Sequence, residues 1–436
     1  MKHFLLRTLI LFCMAASAIS LYGQEPTPVA AATSGNLAAP AINSADPAAA
    51  TRAWLDTVPA DKRARSDAYF EGGYWLILWN FLMEAAIMLF LLSSRISARI
   101  RDFAERTTRF KALQVTIYVI GFVLLTSALG FPLNLYERFF REHAYGLATQ
   151  NFPQWFGEQL KGLLVQLIIM PLLLIALYAV FRRASRTWWL WGTVVAVFFM
   201  MAAMMLAPVY IEPLFNSYKP LKDPAISEPI LAMARANQIP VTQVFEVDAS
   251  RQSNRVSANV AGFLGTTRIA LNDNLLKQCT LPEIRQVMAH EMGHYILNHS
   301  AKLVLYFGVF ILFGFAVVRW VFDASVRKWG ERWGVRGIAD PAGLPLLSLI
   351  FSAVFFVLTP LDNTVIRVTE READAFSLNT SREPDGMAKV ALKLGSYRKL
   401  DPTPIEEFIF FDHPSGRARI RMAMDWKSGR LPAGSP

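Results

Sequence analysis

Long apolar runs separated by short basic segments dominate the chain. Runs at about 72–94, 112–131, 162–181, 188–209, 303–322 and 344–361 are each near the ~20 residues that a helix needs to cross hydrocarbon. Pro171 and Pro208 lie inside or at the end of such runs, where neighbouring helices can satisfy the freed carbonyls. The pattern predicts six spans, or seven if the apolar leader is counted. Between the fourth and fifth runs the texture changes. Val244–Val247, Asn254–Gly262 and Arg268–Leu271 read as short strands broken by Asp248, Ser250 and Gly265, which predicts a small antiparallel sheet. A helix then begins at Thr280, with Pro282 in its first turn and Glu283 placed to close a capping box. Ile284, Val287, Met288 and Tyr295 repeat at helical spacing and give this helix one buried side.

Composition agrees with a membrane protein: 53% of residues are hydrophobic and 31 are Phe. The formal charge of +10 raises the question of nucleic acid, but no basic stripe interleaved with aromatics is present, so none is expected as a partner. Much of the excess charge lies in loops. Arg95, Arg99, Arg101, Arg106, Arg109 and Lys111 follow the first run; Arg182, Arg183 and Arg186 follow the third; Arg327, Lys328, Arg332 and Arg336 follow the fifth. Alternation puts all three on one side, which the positive-inside rule makes cytoplasmic, so segments 210–302 and 362–436 face outward. Residues 1–22, with Lys2, Arg7 and an apolar stretch, read as a signal peptide or an uncleaved first membrane helix. The Ala/Pro-rich stretch from Gln24 to about Ala50 reads as a linker that packs nothing. Only Cys13 and Cys279 occur, so a disulfide framework is excluded and any metal rests on His and carboxylates.

The chemistry-bearing motif is HEMGH, His290 to His294, on the predicted helix. Two histidines four apart share a helix face and can share a metal, with Glu291 beside it; this is a signature of zinc hydrolysis. A catalytic zinc takes three protein ligands and keeps one position open. After the last run, VTEREADAF sets Glu370 and Asp374 four apart on one face. Glu370 is the expected third ligand and Asp374 the acceptor for the far nitrogen of a ligand histidine. Glu372 competes as a ligand but lies on another face. Glu291 is then the general base for zinc-activated water and returns the proton to the leaving amine. In DHPSGRARI, His413 and Arg419 are the candidate donors to the oxyanion. His299 reads as structural, too far along the helix to join the pair. Glu84, inside WNFLMEAAIMLF, is an intramembrane carboxyl that reads as a tie between helices, with a functional role as the alternative.

These residues resemble the type I CAAX prenyl endopeptidases, integral-membrane zinc metalloproteases. The resemblance rests on HEMGH, on Glu370 and Asp374, and on the His413, Pro414, Arg419 pattern. It extends to IEPLFNSYKPL at 211–221 and RVSANVAGFLGTTRIALNDNLL at 255–276. It implies seven helices enclosing a large chamber, a zinc site at one end, and a substrate added as a strand beside Ser257, Ala258 and Asn259. At that strand the family reads asparagine, alanine, tyrosine, so side-chain contacts differ here while backbone pairing is kept.

The expected architecture is mainly α: a polytopic helical membrane protein with a small antiparallel sheet and zincin-like helices. Its segments are a leader (1–22), a pre-membrane segment (23–71), four spans (72–209), and a first protease part with HEMGH (210–302). Two further spans (303–361), a second protease part with Glu370, Asp374 and His413 (362–425) and a tail (426–436) complete it. The expected function is a zinc endopeptidase, one Zn2+ per chain, acting on hydrophobic or membrane-associated polypeptides from the periplasmic face of a bacterial inner membrane. A chaperone or scaffold of the same fold, or a transporter using Glu84, are the alternatives. The oligomeric state is open.

Overall fold

The structure, a computed structural model, describes residues 46–262 and 267–430. The leader at 1–22, with Cys13, and the end of the tail lie outside the described residues.

Among the described residues, six helices are long and apolar enough to cross a membrane: Ala60–Ser93, Lys111–Ala144, Phe152–Arg183, Trp188–Leu214, His299–Trp333 and Pro341–Ser381. The apolar runs mark their cores, but the helices are longer. A helix of 34 residues, such as the first, extends about 50 Å, against about 30 Å of hydrocarbon. The helices are therefore longer than the hydrocarbon requires, and Glu370 and Asp374 lie in the extension of the last one beyond its apolar run. The helix Leu344–Ser381 is continuous, so the sixth span and the acidic motif are one rigid element, with no break at 361 and 362. Likewise the first helix starts well before residue 72.

Inside the membrane region a core of Met88, Leu91, Tyr118, Phe122, Leu173, Tyr178, Phe307, Phe315 and Phe351 joins the spans. Glu84 lies within it, its Oε2 accepting from Ser352 Oγ at 2.8 Å, which ties the first span to the sixth. The three basic segments meet at one end: Arg95 Nε donates to the Arg332 carbonyl at 2.8 Å, Arg336 pairs with Glu105 at 2.9 Å, and Arg101 pairs with Asp340 at 2.5 Å. Arg182 lines a cleft with these groups.

The sheet has four strands, β1 (Tyr218–Pro220), β2 (Val244–Val247), β3 (Ala258–Ala261) and β4 (Arg268–Asn272), in the order β1-β2-β4-β3. It is mixed, not antiparallel: β2 runs parallel to β4, and only the two edge strands pair antiparallel. The excursion from β2 through Asp248–Ser257 and β3 is long enough to reverse twice, which returns β4 alongside β2 in the same direction. The third strand is also shorter than expected, since Asn254, Arg255 and Ser257 use their backbone groups in local and loop contacts.

The linker reading fails from Asp46 onward. Asp46 caps a helix, Pro47–Asp56, whose Trp54 is 2% exposed and packs with Leu55 against Leu378, Met387, Leu392 and Ile420. Low charge and Ala/Pro content suggest a tether, yet Pro at the first helical position and Ala behind it also build a helix once a Trp has a pocket.

Candidate metal centre and active site

The motif helix, Leu281–Ile296, is fixed before any metal is considered. Glu283 accepts from the Thr280 backbone N–H at 2.5 Å and pairs with Lys393 at 2.8 Å, so its start is locked. Ile284, Met288 and Met292 are buried against the sheet, with Val287 and Tyr295 beside them. Its opposite side meets Leu344–Ser381. There Gln286 Nε2 donates to Ser377 Oγ at 2.6 Å and Ser381 Oγ donates back to Gln286 Oε1, a buried exchange of hydrogen bonds. Gly293 sits at the closest approach: a Cβ there would lie 3.3 Å from the Ala373 Cα and 3.0 Å from the Phe376 ring.

This contact brings the predicted ligands together. His290 Nε2 lies 3.2 Å from one Glu370 oxygen and His294 Nε2 lies 3.2 Å from the other, with 3.1 Å between the two nitrogens. Tetrahedral ligation by His and carboxylate at zinc distances sets ligand atoms about 3.3 Å apart. The donor set and its spacing therefore fit a small divalent cation. Burial pushes the His290 imidazole down, but its hydrogen bonds to Asp374 and Glu370 outweigh this and carry it up; at His294 burial wins and the imidazole is pushed down.

Around the cluster, Asp374 Oδ1 accepts from His290 Nδ1 at 2.9 Å. Arg419 donates from Nε to Asp374 at 2.9 Å and from Nη2 to Glu370 at 3.1 Å. It is 8% exposed, lines the cleft, and turns two of its nitrogens to carboxylates. His413 presents Nε2 3.5 Å from Glu370 and holds Asp412 at 2.9 Å through Nδ1. Burial, with the Arg398 charge nearby, pushes His413 down to about 4. Glu291 is half-buried, lines the cleft, and makes no hydrogen bond or ion pair among the described residues. Glu372 is not in the ligand cluster; it pairs with Lys302 at 2.6 Å and with His299 at 2.9 Å.

A cleft of about 190 Å³ joins these parts, lined by His290, Glu291, His294, Glu370, His413 and, along one wall, Ser257, Ala258 and Asn259. β3 is an edge strand of the sheet, and it borders the same cleft as Glu291. Sequence reading missed Gly293, the Gln286, Ser377 and Ser381 contacts, and Tyr397 and Arg398 in the cleft wall. Only Gly293 carried a signal, since glycine in a helix interior costs about 1 kcal/mol and is kept where packing demands it.

Residues 220–427 match the model of peptidase family M48, and residues 46–217 match a model described as CAAX prenyl protease N-terminal, five membrane helices. Metalloprotease YhfN of Bacillus subtilis is 30% identical over 335 residues, 76% of this chain and 78% of that protein. The chain belongs to peptidase family M48. It is an integral-membrane zinc metalloprotease by that membership. CAAX prenyl protease 1 of Saccharomyces cerevisiae is 26% identical to this M48 peptidase, covering 73% of it and 75% of the yeast protein. Among solved structures, Ste24p of S. mikatae superposes with a TM-score of 0.71 at 20% identity, over 85% of this chain and 90% of that one, so the two share a fold.

Proposed function

We propose that this M48 peptidase hydrolyses internal peptide bonds of hydrophobic or membrane-associated polypeptides, using one zinc ion held by His290, His294 and Glu370. The observation that carries the reading is the convergence of those three side chains, 3.1–3.2 Å apart, beside an unengaged Glu291. When bound there, zinc supplies Lewis acidity, making a water more acidic and a carbonyl more electrophilic. Glu291 takes the proton of the attacking water and later delivers it to the leaving amine. Asp374 holds the His290 ring with Nε2 toward the cluster, and Arg419 holds Asp374 and Glu370 in place. His413, oriented by Asp412 and standing beside Glu370, is the candidate donor to the developing oxyanion. An extended peptide adds to the outer edge of β3 beside Ser257, Ala258 and Asn259, so its main chain crosses the cleft in front of Glu291.

The cleft lies at the end of the fifth and sixth helices opposite the clustered basic loops, which supports a periplasmic active site in a bacterial inner membrane. The CAAX prenyl proteases named above act, by their names, on prenylated substrates; with an outward-facing site this chain takes unmodified hydrophobic peptides instead. Glu291→Gln tests the assignment. Cleavage of an unstructured protein such as casein is lost while metal content by elemental analysis is kept. Retained cleavage at the wild-type rate sinks the reading.

A further inference from the structure

His294 and His299 are five residues apart, which on one continuous helix would set them about 140° apart around the axis. The helix is not continuous. It ends at Ile296, Asn298 adopts a left-handed φ of 53°, and a new helix starts at His299. Asn is among the few residues that tolerate this conformation. The turn swings His299 back, and its Nδ1 lies 2.9 Å from His294 Nδ1. On its far side, His299 Nε2 lies 2.9 Å from Glu372 Oε2, which also accepts from Lys302 Nζ at 2.6 Å. His299 is 1% exposed, whereas the Glu372 and Lys302 side chains reach water at 33% and 40%.

Two ring nitrogens in hydrogen-bond contact share a single proton, and its place follows from the chain of partners. With His294 Nε2 directed at Glu370 and His290, the hydrogen of a neutral His294 is on Nδ1 and donates to His299. His299 Nδ1 therefore accepts, its own hydrogen sits on Nε2, and that N–H donates to the Glu372 carboxylate. Both rings are neutral, and every polar atom in the row has one consistent role.

We propose that His299 is a positioning residue for the metal site: it fixes the tautomer and ring plane of His294, and Glu372 with Lys302 anchors it from the water side. The proposal rests on His294 being a zinc ligand. It assigns the two histidines of HEMGH different supports, a carboxylate for His290 and a neutral imidazole for His294.

The test is zinc affinity of the full-length protein in detergent, measured by competition with a chromophoric chelator, alongside thermal melting of the metal-free form. His299→Ala weakens zinc binding by about 10–100-fold, the range for lost supporting partners of metal ligands. His299→Asn, whose side-chain carbonyl stands near the Nδ1 position and can accept from His294, recovers most of the loss; His299→Gln, which reaches toward Glu372 instead, does not. Equal affinities for the Asn and Gln variants overturn the proposal, a comparison that survives if the Ala variant does not fold. Wild-type affinity in His299→Ala with a lowered metal-free melting temperature overturns it too, leaving only packing. If Glu370→Gln also fails to weaken zinc binding, the ligand reading itself falls, a result distinct from a failure confined to His299.

Discussion

The two histidines of the cluster are held by unlike surroundings. Behind His290 stands a buried charged trio, with Asp374 and Glu370 each 2% exposed and Arg419 at 8%. Behind His294 stands a neutral ring, and charge appears only one residue further out, where Glu372 and Lys302 touch water. Burying a charge is expensive unless its partners are all present, so the first arrangement is rigid and intolerant of loss. The second keeps its charges where water screens them, so it can lose a member at small cost. One side of the site is therefore fixed by electrostatics and the other by hydrogen-bond direction.

The contrast is broken most severely at Arg419. Arg419→Ala strands two buried carboxylates and is expected to cost about 3–5 kcal/mol in the metal-free protein, read by thermal or chemical unfolding in detergent. Arg419→Lys keeps the charge but not the two-pronged geometry and recovers only part. A cost near that of an exposed pair would erase the difference between the two sides. Gly293→Val disturbs both sides together, because its methyls meet the Ala373 backbone and Phe376; it is expected to cost about 1–3 kcal/mol and to speed metal loss to chelator. The added substitution Phe376→Ala should return part of that stability. The smallest effect is expected from Glu372→Gln, within about 1 kcal/mol by the same unfolding measurement, since its partner Lys302 is solvated.

Local features were legible in the residues. The capping box, the buried stripe of the motif helix, the placing of Glu370 and Asp374 on one helix face and the six apolar cores all depend on spacings of a few residues or on uninterrupted runs. What escaped depended on backbone events or distant partners. His299 looked out of reach because helical periodicity assumes an unbroken helix, and the break lies in the φ of Asn298. The parallel pairing of β2 with β4 depends on where a long excursion returns, which strand patterns do not encode. Trp54 needed a pocket made by residues more than three hundred positions away. The hydrogen bonds of Arg419 to Asp374 and Glu370 could not be read either, because both acceptors lie on a helix that only the fold brings to it.

The order of ligands along the chain carries a consequence for biosynthesis. HEMGH is translated before the fifth and sixth crossings, and Glu370 lies beyond both, on the far end of the last one. A nascent chain emerging at the translocon therefore holds two histidines and no carboxylate to complete them. Insertion of the last two helices is therefore what brings Glu370 to the two histidines.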